Sequence, residues 1–397
     1  MPDGADANGG HLSPLNHDPR AMAGKQIPGR VWLHDVTLRD GEQTPGVVFG
    51  REDRLRIGRA LDALGVPRIE AGFPAISRED QEGVTALARE GLRAEVWGFG
   101  RCLAQDVELN AACGVERITL EISVSEIKLA AYGLDRRKVV ERMLAALGLA
   151  RERGMVKVAF MPVDLTRADL GFAEEVIRRA VEEGGADEVV IVDTIGVATP
   201  EAVGLLTGLV RRWVPVPLAV HCHNDLGLGL ANSLAALWAG AEVVHASVNC
   251  LGERAGNADL AEVAMALQLL YGVDAGIRPA LLRETACLVA ELSGYALPPT
   301  RPVTGERIFW RESGAVVQQL LSLPPAVEPY PPEAVGLERR VVLGKKSGRF
   351  SILHALERLG LAAGDDEVDR LLAAVKERSN AGRRLVEDDE LREMVGD

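Results

Sequence analysis

From residue 30 onward the chain repeats one pattern: a short apolar run, a polar loop, then an amphipathic stretch. The runs fall at 31–36, 68–73, 95–99, 117–122, 156–161, 188–192, 218–221 and 243–248, eight in all. Segments with helical apolar spacing lie between them, at 52–64, 78–90, 136–153, 170–183, 200–213 and 228–239. Gly65, Gly91, Gly154 and Gly240 close four of these, as glycine does at helix C-termini. Near-continuous apolar runs that alternate with helices build a parallel sheet. Eight such units over roughly 245 residues match the size and count of a closed barrel. The fold class expected is therefore α/β, a (β/α)8 TIM barrel over 30–276. An open doubly wound sheet competes, but no Gly-x-Gly-x-x-Gly follows the first run.

The rhythm stops near residue 277. Pro298-Pro299, Pro324-Pro325, Pro329 and Pro331-Pro332 mark 277–350 as a linker and subdomain. Helical spacing resumes over 351–397, so a smaller, mainly helical C-terminal appendage follows the barrel. Residues 1–29 are rich in Gly, Pro, Asp and Asn without an apolar core, which predicts a flexible tail and not a signal peptide. The net charge of −13 opposes binding to nucleic acid or to an anionic membrane. No run reaches the roughly 18 apolar residues of a membrane span. Five scattered cysteines form neither a disulfide framework nor a zinc pattern, which fits a reducing, cytoplasmic setting.

In such barrels the C-terminal ends of the strands carry the chemistry. The seventh run ends in His221-Cys222-His223-Asn224-Asp225. Strand alternation puts His221 and His223 on one face, about 7 Å apart along the strand, where neutral imidazoles can converge on a cation. The first run ends in Asp35-Val36-Thr37-Leu38-Arg39-Asp40-Gly41-Glu42-Gln43, and the sixth in Asp193-Thr194-Ile195-Gly196. The eighth leads into Gly252-Glu253-Arg254-Ala255-Gly256-Asn257. An acidic group, two imidazoles and an amide oxygen suit Mg, Mn, Zn or Co as a divalent ion. An adjacent arginine could neutralise an oxyanion. Singly, each segment has an ordinary explanation: a structural ion pair at Arg39–Asp40, a satisfied histidine pair, a glycine-rich turn at 252–257. Four of them at corresponding strand ends point to one site.

The motifs at 35–43, 221–225 and 252–257, in that chain order, resemble the DRE-TIM metallolyase family. Within it the chain is similar to the Claisen-condensing branch of homocitrate, isopropylmalate and citramalate synthases, most of all to nitrogen-fixation-type homocitrate synthases. The similarity runs from about residue 31 to about 362 and includes Val342-Leu343-Gly344-Lys345-Lys346-Ser347-Gly348. The resemblance implies a metal site of Asp40, His221, His223 and Asn257. It implies that Arg39 holds the 2-oxo acid and its developing alkoxide, that Thr194 binds the substrate carboxylate, and that Gln43 completes the pocket. The implied reaction condenses acetyl-CoA with a 2-oxo acid, 2-oxoglutarate first among them, in a homodimer whose C-terminal regions mediate pairing.

The chain departs from that family where a base should take a proton from acetyl-CoA. Family members have Glu-Asp after strand five, where this chain has Val163-Asp164. In the appendage, two further acid/base positions correspond to Val316 and Val327. Valine neither takes nor gives a proton. Glu312, Tyr330 and Lys128 are the substitutes available to sequence reading, Glu312 being the catalytic candidate. Lysine-pathway relatives have an arginine where this chain has Ala159, so pyruvate, 2-oxoisovalerate and oxaloacetate stay open beside 2-oxoglutarate. Two readings follow: an acyltransferase with a displaced base, or a metal-dependent 2-oxo acid aldolase, lyase or non-catalytic paralogue.

Overall fold

A computed structural model describes residues 12–25 and 28–396. Two compact units divide the chain: Asn16–Leu297, and the part from Pro298 onward, which also takes the described residues before Asn16. Of the tail expected over 1–29, residues 1–11, 26 and 27 lie outside the described residues. The described part contains a 3-10 turn at Pro14–His17 and a helical turn at Pro19–Met22, capped by the Asp18 carboxylate.

In the first unit β1 (Trp32–Asp35), β2 (Arg68–Glu70), β3 (Glu95–Arg101) and β4 (Arg117–Ser123) pair in sequence order. They continue through β5 (Lys157–Val163), β6 (Glu188–Asp193), β7 (Leu218–Cys222) and β8 (Val243–Ala246), and β8 closes onto β1. Every pairing is parallel, so the closed barrel expected from the eight runs is the fold. Helices Arg51–Leu64, Arg78–Ala88, Arg136–Glu152, Leu170–Glu182, Pro200–Trp213 and Gly229–Trp238 fill the predicted amphipathic segments. The helix Ala104–Cys113, among others, escapes the apolar pattern, because its inward face carries Asp106 and Asn110, both fully buried. Asn110 Nδ2 donates to the Phe99 carbonyl at 2.9 Å, and Asp106 accepts from the Arg101 backbone N–H.

Alternation along the strands fills the lumen in layers. The lowest layer is ionic: Arg68 reaches Glu188 at 2.7 Å and Glu95 at 3.5 Å, and Lys157 reaches Glu95 at 2.8 Å. Trp97, Phe99, Ala159, Met161, Val190, Val192 and Ala219 pack above it. His34 and His245 are buried and stacked at 4.3 Å, and His221 meets His245 edge-on at 5.5 Å. Burial, then the positive charges of Arg68 and Arg39, hold His34 neutral.

The first unit runs past the boundary expected at 276. Helix Leu282–Ser293 has an apolar face of Leu282, Ala286 and Val289, and it packs on helix Arg51–Leu64 and on the turn after β8. That stretch reads as linker in the sequence because it follows the eighth run without a strand of its own. The second unit has a two-stranded parallel sheet, Trp310–Arg311 with Arg340–Val341. It also has helices Gly314–Ser322, Arg349–Leu359, Asp365–Gly382 and Asp388–Gly396, the last three around a core of Ile352, Leu356, Leu371, Val375 and Leu391. Among the described residues no helix is long and apolar enough to cross a membrane.

Candidate metal centre at the strand ends

The turn after β1 is built before it is functional. Thr37 donates its backbone N–H and its hydroxyl to the buried Asp35 carboxylate, at 2.9 and 2.7 Å. Arg54 then fastens the turn to the end of β2, donating to the Leu38 carbonyl at 2.8 Å and the Ala71 carbonyl at 3.0 Å. It also pairs with Asp80 and Glu42. A side chain on Gly83 would lie 2.5 Å from Arg54 Cδ, so glycine makes room for this buried guanidinium. The result holds Arg39 and Asp40 rigidly over the lumen.

Asp40, His221 and His223 converge there, all buried. Asp40 Oδ2 lies 3.1 Å from His221 Nε2 and 3.7 Å from His223 Nε2, and the two imidazole nitrogens are 3.4 Å apart. His223 Nδ1 is 3.2 Å from the Gly256 carbonyl, which fixes the tautomer that leaves Nε2 as a lone pair facing Asp40. Burial draws the His223 pKa down to about 4 against the pull of Asp40. Burial pushes the Asp40 carboxyl up, but Arg39 and the two imidazoles outweigh it and hold Asp40 below the usual carboxylate range. A neutral imidazole beside an ionised carboxylate is the donor state a cation requires.

Asn257 joins this group through the chain. It forms an antiparallel bridge with His223, and its Nδ2 donates to the Leu251 carbonyl at 3.0 Å. Its Oδ1 is buried with no hydrogen-bond partner, as an amide oxygen reserved for a ligand would be. The loop that delivers it needs glycine: Gly256 has φ 82°, and a Cβ there would fall 1.6 Å from the Cys250 carbonyl oxygen. Asn249, Cys250 and Arg254 also take left-handed backbone in this loop. The four donors therefore fit a divalent ion with N and O preference.

Arg39 lies beside them. Its Nε donates to Glu70 Oε2 at 2.5 Å, its Nη1 is 3.4 Å from Asp40 Oδ2, and its guanidinium rests over the Phe99 ring at 4.0 Å. Its Nη2 is buried without a hydrogen-bond partner. Thr194 Oγ1 accepts from the Asp164 N–H at 2.7 Å, which leaves the hydroxyl proton to donate. Arg254 ties the same strand end down, donating to the Thr194 carbonyl at 2.7 Å and to Asp225 at 2.8 Å. Gln43 is exposed, in the 3-10 turn that follows Asp40.

The expected acid/base positions are as apolar in space as in sequence. Val163 ends β5 inside the lumen's apolar cluster. Val316 and Val327 belong to the second unit, as do two of the substitutes considered. Tyr330 is buried edge-on against Phe309 at 5.4 Å, and burial pushes its phenol up to about 12. Glu312 Oε1 accepts from the Lys346 backbone N–H at 2.8 Å. Lys128 is half-buried on the short helix after β4. Two residues that sequence reading passed over stand at the site: Glu70, the partner of Arg39, and Glu121 on β4. Glu70 was within reach, as a carboxylate inside the second apolar run; Glu121 needs the register.

Comparison with known proteins finds relatives over most of the chain. The HMGL-like family model matches residues 30–289, and the homocitrate synthase post-HMGL domain-like model matches residues 303–383. Homocitrate synthase AksA of Methanopyrus kandleri is 42% identical over 376 residues, 94% of each chain. The 2-isopropylmalate synthase of Methanocaldococcus jannaschii is 39% identical over 376 residues, 93% of this chain and 72% of the relative. Among solved structures, a hydroxymethylglutaryl-CoA lyase from Pseudomonas aeruginosa superposes with a TM-score of 0.61 at 25% identity, covering 68% of this chain and 95% of the lyase.

Proposed function

The chain belongs to the HMGL-like family, with a homocitrate synthase post-HMGL domain behind its barrel, and from that premise we propose that it is a metal-dependent acyltransferase condensing acetyl-CoA with a 2-oxo acid. The observation that carries this reading is the convergence of Asp40, His221 and His223 beside the unpartnered Nη2 of Arg39. Asp40, His221, His223 and Asn257 would hold the ion. A divalent ion there supplies Lewis acidity, which makes a 2-oxo acid carbonyl carbon electrophilic. Arg39 presents its free N–H to the oxygen on which negative charge grows. The Thr194 hydroxyl donates to the substrate carboxylate. Glu70 keeps the guanidinium of Arg39 from swinging away.

Among 2-oxo acids we propose 2-oxoglutarate. A relative named homocitrate synthase aligns over 94% of both chains, and a probable 2-isopropylmalate synthase aligns over 94% of this chain and 93% of its own, so the pocket and not the length speaks to the acid. Arg142 lines a pocket of about 310 Å³ at the ends of β3 and β4 beside Arg101, whose guanidinium is paired with Asp106 at 2.8 Å, so Arg142 is the cation we propose for a second carboxylate. A homodimer in the cytoplasm completes the proposal. The test is product identification by mass spectrometry after incubation with acetyl-CoA, Mn²⁺ and each of 2-oxoglutarate, pyruvate, 2-oxoisovalerate and oxaloacetate. Homocitrate as the main product supports the assignment, and a different 2-hydroxy acid relocates it.

The lumen position at Val163 favours one competing reading, in which the barrel binds or cleaves a 2-oxo acid without acetyl transfer. Metal-dependent cleavage of a 2-hydroxy acid, in place of condensation, is its signature.

A further inference from the structure

The condensation requires a base, and the lumen contains one more carboxylate near Arg39, that of Glu121. Glu121 pairs in register with Met161 of β5 and Arg101 of β3, and Thr119, two residues before it, pairs with Ala159 and Phe99. Met161, Ala159 and Phe99 are lumen residues, so alternation turns Glu121 into the barrel as well. Its position is at the upper end of β4, on the wall of the pocket that also contains Arg101, Cys102 and Ser123. Among the described residues no hydrogen bond or ion pair within 4 Å engages its side chain, unlike Glu70, Glu95 and Glu188 in the layers below.

Resting on the acyltransferase reading, we infer that Glu121 is the catalytic base of this enzyme, the group that takes a methyl proton from acetyl-CoA. The methyl C–H bond breaks and its proton passes to a Glu121 oxygen. The released pair forms the C–C bond to the 2-oxo acid carbonyl carbon, and the carbonyl π pair becomes an alkoxide beside Arg39. Water then cleaves the thioester, and CoA leaves as the thiol. Burial pushes the Glu121 carboxyl up to about 7, with Arg39 and Lys128 pulling it down and Asp40 and Glu70 pushing it further up. Arg101 and the Cys102 thiol are the other ionisable groups that feel its charge. A carboxylate near 7 matches the strength a general base needs at neutral pH. The arrangement also accounts for three valines at the family's proton-handling positions: the function has moved to another strand.

The test compares wild type, Glu121→Gln and Glu121→Asp in three measurements: CoA release, binding of the 2-oxo acid with Mn²⁺ by titration calorimetry, and deuterium uptake into the acetyl-CoA methyl group in D2O. The inference expects Glu121→Gln to lose about 100-fold or more in kcat and to lose methyl exchange. It expects 2-oxo acid affinity within about twofold of wild type, and Glu121→Asp to recover part of the rate. A Glu121→Gln enzyme with kcat within threefold of an active wild type overturns the base. So does one whose only change is a gain in kcat/KM for 2-oxoglutarate, which would make Glu121 a specificity residue. A wild type that releases no CoA overturns the acyltransferase reading itself.

Discussion

At the residue scale the site divides into groups that bind an ion and groups that manage charge around it. Asp40 and His223 belong to the first, and their replacement by alanine should abolish Mn²⁺ binding by calorimetry and lower CoA release by more than about 100-fold, since even outer-shell changes cost 10- to 100-fold. Undiminished binding in both variants would contradict the site. Glu121 belongs to the second, and it makes a stability prediction of definite sign. Its folded carboxyl is raised to about 7 by burial, against an unfolded value of about 4.3. A raised carboxyl stabilises the fold at low pH, and that contribution is lost as pH rises through 4.3 toward 7. Glu121→Gln should therefore melt a few degrees above wild type at pH 8 and no higher at pH 4, by calorimetry. The opposite order at pH 8 would mean that the carboxylate is satisfied in the fold. His221, His223, Asp40 and Arg39 were legible because each ends or closely follows an apolar run. Glu121 was not, because only the pairing of β4 with β3 and β5 shows which face it takes.

At the scale of elements, the loop after β8 decides whether the ligands meet. Gly256→Ala would press its Cβ onto the Cys250 carbonyl, so the loop must move and carry Asn257 and the His223 tautomer with it. Metal affinity should fall about tenfold or more while the barrel still folds, read by calorimetry and circular dichroism. The ionic layer at the bottom of the lumen gives the complementary case. Arg68→Met leaves Glu188 buried without its 2.7 Å partner, and removing one member of a buried pair costs about 3–5 kcal/mol. Its melting temperature should drop without a matching loss of metal binding. The sequence showed the apolar strands but not this layer, because Arg68, Glu95 and Glu188 stand at the run boundaries, where charge reads as loop.

At the scale of the whole molecule, the eightfold repeat of apolar runs made the barrel legible in the sequence, whereas the second unit had no comparable period. Helix Leu282–Ser293 was therefore read as linker, although its Leu282, Ala286 and Val289 face is what seats it in the barrel unit. An ion that binds only the folded barrel stabilises all of it. Mn²⁺ at 100 times its dissociation constant should add about 2.7 kcal/mol, several degrees in melting temperature, and chelation should reverse it. The central claim joins the metal centre to acetyl transfer, and thiol release from acetyl-CoA across the 2-oxo acid panel, with Mn²⁺ and after chelation, tests it most directly. The account predicts CoA release that needs both a 2-oxo acid and the metal. No release with any of the four, together with metal-dependent cleavage of a 2-hydroxy acid, would contradict it.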